Sequence, residues 1–418
     1  MPTTWTKNKF SNLFKIKHGY AFRGEYFSDV PTINILLTPG NFAIGGGFQS
    51  TKMKYYDGPI PQEYVLKSGD LIVTMTDLSK QGDTLGYPAV IPDNSNYKYL
   101  HNQRIGLIER KSNDIDLKYL FYLMRTNTYQ RFVVGSASGA TVKHTSPDRI
   151  CNYEVNIPDN TTQSKIASVL SAYDDLIEND EKRIKTLEEM AQNIYTEWFV
   201  KFKFPAYEKV KMVDSKTSYG MIPAEWEVKK LKQIGKVITG KTPPTSNLEN
   251  FNGEVLFIKT PDIHSNIFIL ETEQNLSEIG SNTQTLKLLP EKTVIVSCIG
   301  TLGVVSITSK PSQTNQQINA LILNDISDYC FYYIFAKGLK QQLAGLGSNG
   351  ATMGNVNKDK FENIKIIYPS EEIRKVFFNI TSNLFDEILL LQKQNKNLSK
   401  TRDLLIPQLV TGKRELKN

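Results

Sequence analysis

The chain is written twice. Sliding it along itself by 221 residues lays W-TKNKFSNLFKIKHG, starting at Trp5, over W-EVKKLKQIGKVITG, starting at Trp226, without a gap, and pairs Lys9 with Lys230, Lys15 with Lys236 and Gly19 with Gly240. Further on, VLKSGDLIVTMT (65–76) parallels LLPEKTVIVSCI (288–299), HNQRIGLI (101–108) parallels TNQQINALI (314–322), SGATV (138–142) parallels NGATM (349–353), and ICNYEVNIP (150–158) parallels FENIKIIYP (361–369). A repeat on this scale governs every later inference, because a motif that matters to the fold should appear in both copies.

That test disposes of the most conspicuous motif. Gly235 to Thr242 fits G-x-x-x-x-G-K-[ST], the phosphate loop of a P-loop NTPase. Such a loop must join a buried strand to a helix, so that free N–H groups at the helix start hold the phosphates. The sister stretch FKIKHGYAF lacks the first glycine and the lysine, and KKLKQI alternates polar with apolar residues instead of forming a buried parallel strand. Pro243 and Pro244 follow Thr242 at once, and a residue before proline is driven out of helical space. A loop is expected here, with no helix.

A length of 418 residues suits two or three domains, and no apolar run approaches the roughly 20 residues of a membrane span. The N-terminal residues carry no secretion signal, so a cytoplasmic protein is expected. Cys151, Cys298 and Cys330 are far apart, and His18, His101, His144 and His264 show no ligand spacing, so neither a disulfide framework nor a metal site is expected. Net charge is +5 over residues 1–158, −3 over 159–204, +2 over 205–369 and +3 beyond, a modest basic excess compatible with phosphate binding.

Each copy closes in a long helical pattern. From Gln163 to Phe199, apolar residues recur at Ile166, Val169, Leu170, Tyr173, Leu176, Ile177, Ile184, Leu187, Met190, Ala191, Ile194 and Trp198. At about 1.5 Å per residue such a helix runs roughly 55 Å. In the second copy Phe377, Leu384, Leu391, Leu398 and Leu405 stand seven apart, flanked by Ile373, Ile380 and Ile388, with Pro407 limiting the helix and TGKRELKN as a frayed tail. Stripes this long exceed a small domain, so each helix is expected to pack antiparallel against the other. Asp174, Asp175, Glu178, Glu181, Glu188 and Glu189 are expected on the face away from that seam, either solvated or docking a protein. The resulting fold is α+β: two globular mixed domains, 1–158 and 205–369, separated by two long antiparallel helices, 159–204 and 370–412, in a pseudo-twofold coiled coil, with 413–418 as a tail.

The NQRI and NQQI turns, the paired GAT motifs, the IP and YP strand ends, TGKTPPT, QSKIASVLSAYDDLIE, AQNIYTEWFVKF and LLIPQLVTGKREL, in this order and duplicated, resemble the DNA-specificity (S) subunit of Type I restriction-modification systems over nearly the whole chain. HGYAF stands where the second copy has GKTPP, and EEIRKVFFNI replaces the more polar helix start of QSKIASVL. The resemblance implies two target-recognition domains reading a bipartite duplex DNA target. It also implies two adenine-methylating methyltransferase subunits using S-adenosylmethionine, and restriction (motor-nuclease) subunits using ATP and magnesium. The chain itself would hold no cofactor, and no amino-methyltransferase signature such as N-P-P-Y or D-P-P-Y is present. A stand-alone DNA-binding regulator is the alternative.

Polar loops beside the repeated landmarks supply the candidate DNA contacts: Lys17, His18, Tyr20, Arg23, Lys80, Gln81, Asn102, Arg104, Lys143 and His144 in the first domain, and Thr239, Lys241, Thr242, Thr245, Ser246, Asn247, Asn315, Gln316, Asn349 and Asn355 in the second. Each is of a type that also builds turns for conformational reasons alone. Tyr26, Phe27 and Phe42 are expected in the core. Candidate docking residues for partner subunits are Tyr173, Leu176, Ile177, Ile194, Trp198 and Phe199, which seam packing explains equally well. The first domain contains Arg23, Arg104, Arg110, Arg125, Arg131 and Arg149, whereas residues 205–369 contain no arginine. Arginine is the commonest reader of guanine, and Asn and Gln suit adenine, so the second half-site is expected to be richer in A·T.

Overall fold

A computed structural model describes residues 4–50, 53–93, 96–264, 266–348 and 354–416. The chain divides into two compact units, residues 1–177 with 398–418 and residues 178–397. Each unit therefore takes part of each long helix, Asn160–Tyr195 and Glu371–Leu409.

In the first unit Thr6–Lys9 pairs antiparallel with Glu154–Ile157, closing the globular part on itself. A four-stranded antiparallel sheet follows in the order Phe14–His18, Ile105–Arg110, Leu71–Thr74, Pro88–Val90. Leu71–Thr74 is buried throughout, which explains its unbroken apolar run, and it is launched by the turn in which Asp70 accepts the Lys67 N–H at 2.8 Å. Helices Leu117–Leu123 and Asn127–Gly135 cover one face, capped by Asp116 and Thr126. Phe10, Phe14, Tyr119, Leu120, Tyr129 and Val133 form the core beneath them. A second, five-stranded sheet, Phe27–Ser28, Lys54–Tyr56, Asn34–Leu36, Lys98–Leu100 and Val65–Leu66, encloses a distal core around Ile35, Phe42 and Tyr99. Phe42 is buried as expected and Tyr26 is half-buried, but Phe27 is 42% exposed on the edge strand of this sheet.

The second unit repeats the plan. Glu227–Lys230 pairs with Lys365–Tyr368, and the main sheet runs Gly235–Thr239, Ile318–Leu323, Val294–Ser297, Val305–Thr308, Phe268–Ile269. Helices Tyr329–Lys337 and Lys340–Gly347 cover it, and the distal sheet is reduced to three strands, Asn275–Leu276, Phe251–Ile258 and Ser312–Thr314. The strand Gly235–Thr239 is antiparallel to its neighbour, and residues 240–247 are irregular before a short 3-10 turn at Leu248–Asn250. Among the described residues no α-helix follows Thr242 before Glu278–Asn282, so the P-loop match lacks the helix start that a phosphate cradle requires.

Inside each unit the two helix halves run antiparallel. In the first, Ile166, Ala167 and Leu170 join one core with Ile406, Leu409 and Val410, and Asp174 meets Arg402. In the second, Arg183 reaches Glu387 at 2.6 Å, and Phe199 lies 4.9 Å from Phe377. The seam is narrower than the apolar pattern suggests: Val169, Leu176, Met190 and Ile380 are 36%, 38%, 47% and 42% exposed, being the outer edges of stripes wider than a two-helix contact can cover. Among its polar side chains Asp180 is buried, with Arg183 3.7 Å away. Asp174 and Glu188 do not lie on a free solvated face. Asp174 accepts from Arg402 at 2.5 Å and from the Tyr122 hydroxyl at 2.5 Å, and Glu188 accepts from Tyr333 at 2.7 Å.

Both long helices end alike. The first widens into a π-turn over Thr196–Val200, after which Phe202 takes φ +58° and packs edge-on against Trp226 at 5.6 Å. The second passes Pro407 by two residues, and Gly412 takes φ +72° with a would-be Cβ only 2.7 Å from the Trp5 ring. A left-handed residue stops each helix and seats it on the equivalent tryptophan. The tail is not frayed up to Leu416: Arg414 N–H bonds the Gln408 carbonyl at 3.0 Å, and Leu416 packs on the first core.

Candidate nucleic-acid interface

Several of the candidate residues lie at one end of each main sheet, where two backbone hydrogen bonds tie three loops into a ladder. In the first unit the Met75 N–H donates to the Arg104 carbonyl at 2.9 Å, and the Thr145 N–H donates to the Met75 carbonyl at 3.0 Å. In the second, Cys298 N–H donates to Gln317 at 2.7 Å and Val356 N–H to Cys298 at 2.8 Å. Three loops remote in sequence are thereby laid side by side. The ladder makes Arg104 the structural counterpart of Gln317, and His144 that of Asn355; His144 pairs with Thr76 as Asn355 pairs with Ile299. Burial pushes the Cys298 thiol up to about 12, so it is held as the thiol near pH 7.

A fourth loop joins through glycine. Gly19 and Gly240 end equivalent strands so close to the neighbouring turn that a Cβ would lie 2.1 Å from the carbonyl oxygen of Asn102 or Asn315. In those turns Asn102 Oδ1 accepts from Arg104 N–H and Asn315 Oδ1 from Gln317 N–H, each at 3.1 Å. The two asparagines thus shape the turns that present Arg104 and Gln317. Asn315, 8% exposed, also donates to Gln317 Oε1 at 3.0 Å.

Around this frame in the first unit, His18 and Arg104 are exposed, and Tyr20 is 38% exposed, its N–H donating to the His101 carbonyl at 2.8 Å. Lys17 is tethered, with Nζ 2.9 Å from the Glu63 carbonyl and 4.9 Å from the Tyr64 ring. Arg23 is exposed, 3.5 Å from Glu25. Lys143 and His144 form a two-residue strand against Thr76 and Asp77, and Thr76 Oγ1 lies 3.2 Å from His144 Nδ1. Lys80 and Gln81 sit exposed on the next loop, which Asp77 organises. That carboxylate, in a residue 4% exposed, accepts from Ser79 N–H and from the Thr84 hydroxyl, each at 2.6 Å, and from Thr84 N–H. Burial alone would raise its pKa, but these donors outweigh it and hold the acid below its ordinary value. Beneath Tyr20, His101 is 1% exposed and donates through Nε2 to the Ile105 carbonyl at 2.9 Å; burial lowers its pKa to about 4, so it is neutral near pH 7.

In the second unit Thr239 donates to Asn319 Oδ1 at 2.6 Å, and the buried Asn319 amide donates onward to Val356 at 3.1 Å, so Thr239 helps tie the strand end to the Asn355 loop. Lys241 and Gln316 are exposed, and Thr242 donates to Gln316 Oε1 at 2.7 Å. Thr245 and Ser246 are exposed in a turn, and Asn247 caps the following 3-10 turn at Glu249. Asn349 lies outside the described residues. Asp77, Asn319 and Gln317 were not candidates from the sequence. Gln317 could have been found by counting the NQRI and NQQI motifs in step, whereas Asp77 and Asn319 carry no local signal.

Of the candidate docking residues, Leu176 is 38% exposed, and Tyr173, Ile177, Ile194 and Trp198 are half-buried. Phe199 is 5% exposed, with Phe331 and Phe377 each 4.9 Å away, so core packing accounts for it. Among the described residues no group of three His, Cys, Asp or Glu is placed to hold a metal ion, and no helix is long and apolar enough to cross a membrane. The three cysteines are free and buried.

A family model described as the Type I restriction modification DNA specificity domain matches residues 2–189 and again 223–400. The chain is 33% identical over 400 residues to the HindI specificity subunit of a Type I restriction enzyme from Haemophilus influenzae, covering 80% of this chain and 86% of that protein. It is 29% identical over 300 residues to the MjaIX specificity subunit from Methanocaldococcus jannaschii, covering 71% and 68%. A crystal structure of a Type I restriction-modification S subunit from M. genitalium has a TM-score of 0.58 at 16% identity, covering 100% of this chain and 98% of that one, which is a likeness of fold.

Proposed function

This chain belongs to the Type I restriction-modification DNA specificity family, and we propose that its two units each read one half of a bipartite duplex target at the loop ladder. The observation that carries this reading is the duplicated ladder itself: two sheet ends, built by the same hydrogen bonds, present different side chains at equivalent positions. Arg104 faces the role that Gln317 has in the other unit, and His144 that of Asn355. A shared frame with exchangeable tips is what reading two unlike half-sites demands, since phosphate contacts fix position and base-edge contacts carry sequence.

In the resulting account Lys17, Lys80, Lys143 and Lys241 hold phosphates, while Arg104, His144, Gln316, Gln317 and Asn355 approach base edges. With no arginine in residues 205–369, the second half-site is read by Asn and Gln and is richer in A·T; a guanine-rich second half-site refutes that assignment. The chain makes and breaks no bonds. In the cytoplasm it scaffolds two methyltransferase subunits, which bring S-adenosylmethionine, and motor-nuclease subunits, which bring ATP and magnesium.

Methylome sequencing of host cells with and without this chain tests the proposal. One methylated motif, two short segments with an unread gap, should vanish on deletion and return on complementation. An unchanged methylome overturns the reading. Matched insertions of one helical turn near Asp180 and near Lys393 should lengthen the gap and leave both half-sites intact; an unchanged gap removes the helices from the role of ruler.

A further inference from the structure

One buried cation joins the first recognition domain to both long helices. Arg125 follows the helix Leu117–Leu123, and its side chain is 6% exposed. Its guanidinium lies 3.7 Å from Asp174 of the first long helix and 3.4 Å from Asp403 of the second. Nε donates at 2.7 Å to the carbonyl of Gly45, in a loop attached to the distal sheet. The Phe121 and Tyr122 rings flank the guanidinium at 5.2 and 5.7 Å. Gly46, at φ +89°, lies where a Cβ would come within 2.7 Å of the Arg125 stem. Arg402 pairs with the same two carboxylates, at 2.5 Å from Asp174 and 2.8 Å from Asp403, so two cations and two anions balance in one half-dry cluster.

The placement of this cluster matters mechanically. The apolar attachment of the domain to the helices lies at Ile166, Ala167 and Leu170 with Ile406 and Leu409. An attachment at one level resists separation but leaves the domain able to tilt about it. The Arg125 contacts fall at Asp174 and Asp403, about one helical turn further along each helix, where the Tyr122 hydroxyl also bonds Asp174. Of the two side chains, Arg125 is the one that extends this second level to the other helix, and that level opposes the tilt. The Gly45 bond extends the restraint to the distal sheet. Arginine suits the position because its planar fork can serve a carbonyl and two carboxylates at once.

We propose that Arg125 is a positioning residue for target spacing: it locks the first recognition domain at a fixed angle to the helical pair, and this angle sets how sharply the complex measures the gap between half-sites. The inference rests on the bipartite reading above. Successive base pairs are about 3.4 Å apart, so a tilt that moves the loop ladder by that distance makes neighbouring gap lengths equivalent. Base preference, set within the ladder, is untouched by such a tilt.

The test uses the full chain assembled with its methyltransferase subunits and duplexes carrying the native gap, one base pair less and one more. Methylation rates on the native gap relative to the altered gaps should fall by about tenfold in Arg125→Met, a difference of about 1.4 kcal/mol, with discrimination against base changes inside either half-site unchanged. Arg125→Lys should fall between. Asp403→Asn, at a site 56% exposed, loosens one arm only and should shift gap discrimination the same way by less, which keeps the test decisive if Arg125→Met fails to assemble. Unchanged gap discrimination in all three variants overturns the proposal, as does a parallel loss of base discrimination. A wild-type complex that ignores gap length altogether instead strikes at the bipartite reading.

Discussion

Arg374→Gln tests how a recognition domain is seated on its helix. Arg374 is the second-repeat counterpart of Gln163. Gln163 Nε2 donates to the Pro158 carbonyl at 2.8 Å, and Arg374 Nε donates to the Pro369 carbonyl at 3.2 Å. Gln163 then completes its bonding with the main chain, donating to Asp114 at 2.8 Å and accepting from Asp116 N–H at 2.9 Å. Arg374 instead meets the Asp328 carboxylate, 2.5 Å from Oδ1, with the two side chains 9% and 2% exposed. Tyr368 donates its hydroxyl to the same carboxylate, and its ring lies 4.2 Å from the guanidinium. Burial first, then the bond to Asp328, push that phenol up, so it remains a donor. Substituting Gln for Arg374 copies the first repeat but leaves Asp328 buried without a counter-charge. One-sided loss of a buried pair costs about 3–5 kcal/mol. Adding Asp328→Asn removes the stranded charge, and the double variant should lose only about 1–2 kcal/mol. A Trp5→Phe background makes the assay specific, since the remaining Trp198 and Trp226 both lie in the second unit. Denaturant titration followed by their emission measures the loss. A drop under about 1 kcal/mol in Arg374→Gln, or a double variant no more stable than the single, refutes the ion-pair argument.

Other perturbations follow from the interface. Asp77→Asn should unsettle the Lys80–Gln81 loop at a cost of about 2 kcal/mol and weaken the first half-site while sparing the second, read by binding to duplexes mutated in one half. Because the folded Asp77 pKa lies below its unfolded value, its contribution is present above about pH 4 and lost as pH falls through the lowered value; Asp77→Asn should flatten the acid limb of stability, and an unaltered limb counts against the loop-cage account. His101, depressed to about 4, favours the folded state fully above about pH 6.5 and loses roughly 3 kcal/mol of stability as pH falls from there to its folded value. First-half-site binding should weaken over that window, and His101→Gln should abolish the dependence. Lys241→Ala should lower the slope of log affinity against log salt by about 0.9, one phosphate contact, and the unaltered chain should show no change of thermal stability with ATP; an ATP-dependent shift that Lys241→Ala abolishes revives the nucleotide reading.

Much of the architecture was legible because it is periodic or duplicated. Burial of an amphipathic stripe leaves its mark every three or four residues, so both long helices could be drawn from Ile166 to Trp198 and from Phe377 to Leu405. Repetition marked the strands Leu71–Thr74 and Val294–Ser297, and the turns at Asn102 and Asn315. It also exposed Gly240-Lys241-Thr242 as a loop with no helix behind it. The errors lie where a pattern says that a residue is polar without saying what it meets. Asp174 and Glu188 read as part of a face turned away from the seam, solvated or docking a protein, yet each is bonded to a globular domain of this chain. Ile380 and Leu176 read as seam, yet lie outside it.

The linear text, then, determined the doubling, the two recognition domains, the helices between them and the family, since each leaves a local or recurrent trace in residue order. Only the tertiary structure decided that each compact unit takes helix from both long helices, that Arg104 answers to Gln317 and His144 to Asn355, and that Arg125, Asp77 and Arg374 are buried against distant partners. Those facts are contacts between residues tens to hundreds of positions apart. A charge paired across such a distance is identical, in the sequence, to one that faces water; what separates the two is the desolvated neighbour that folding supplies.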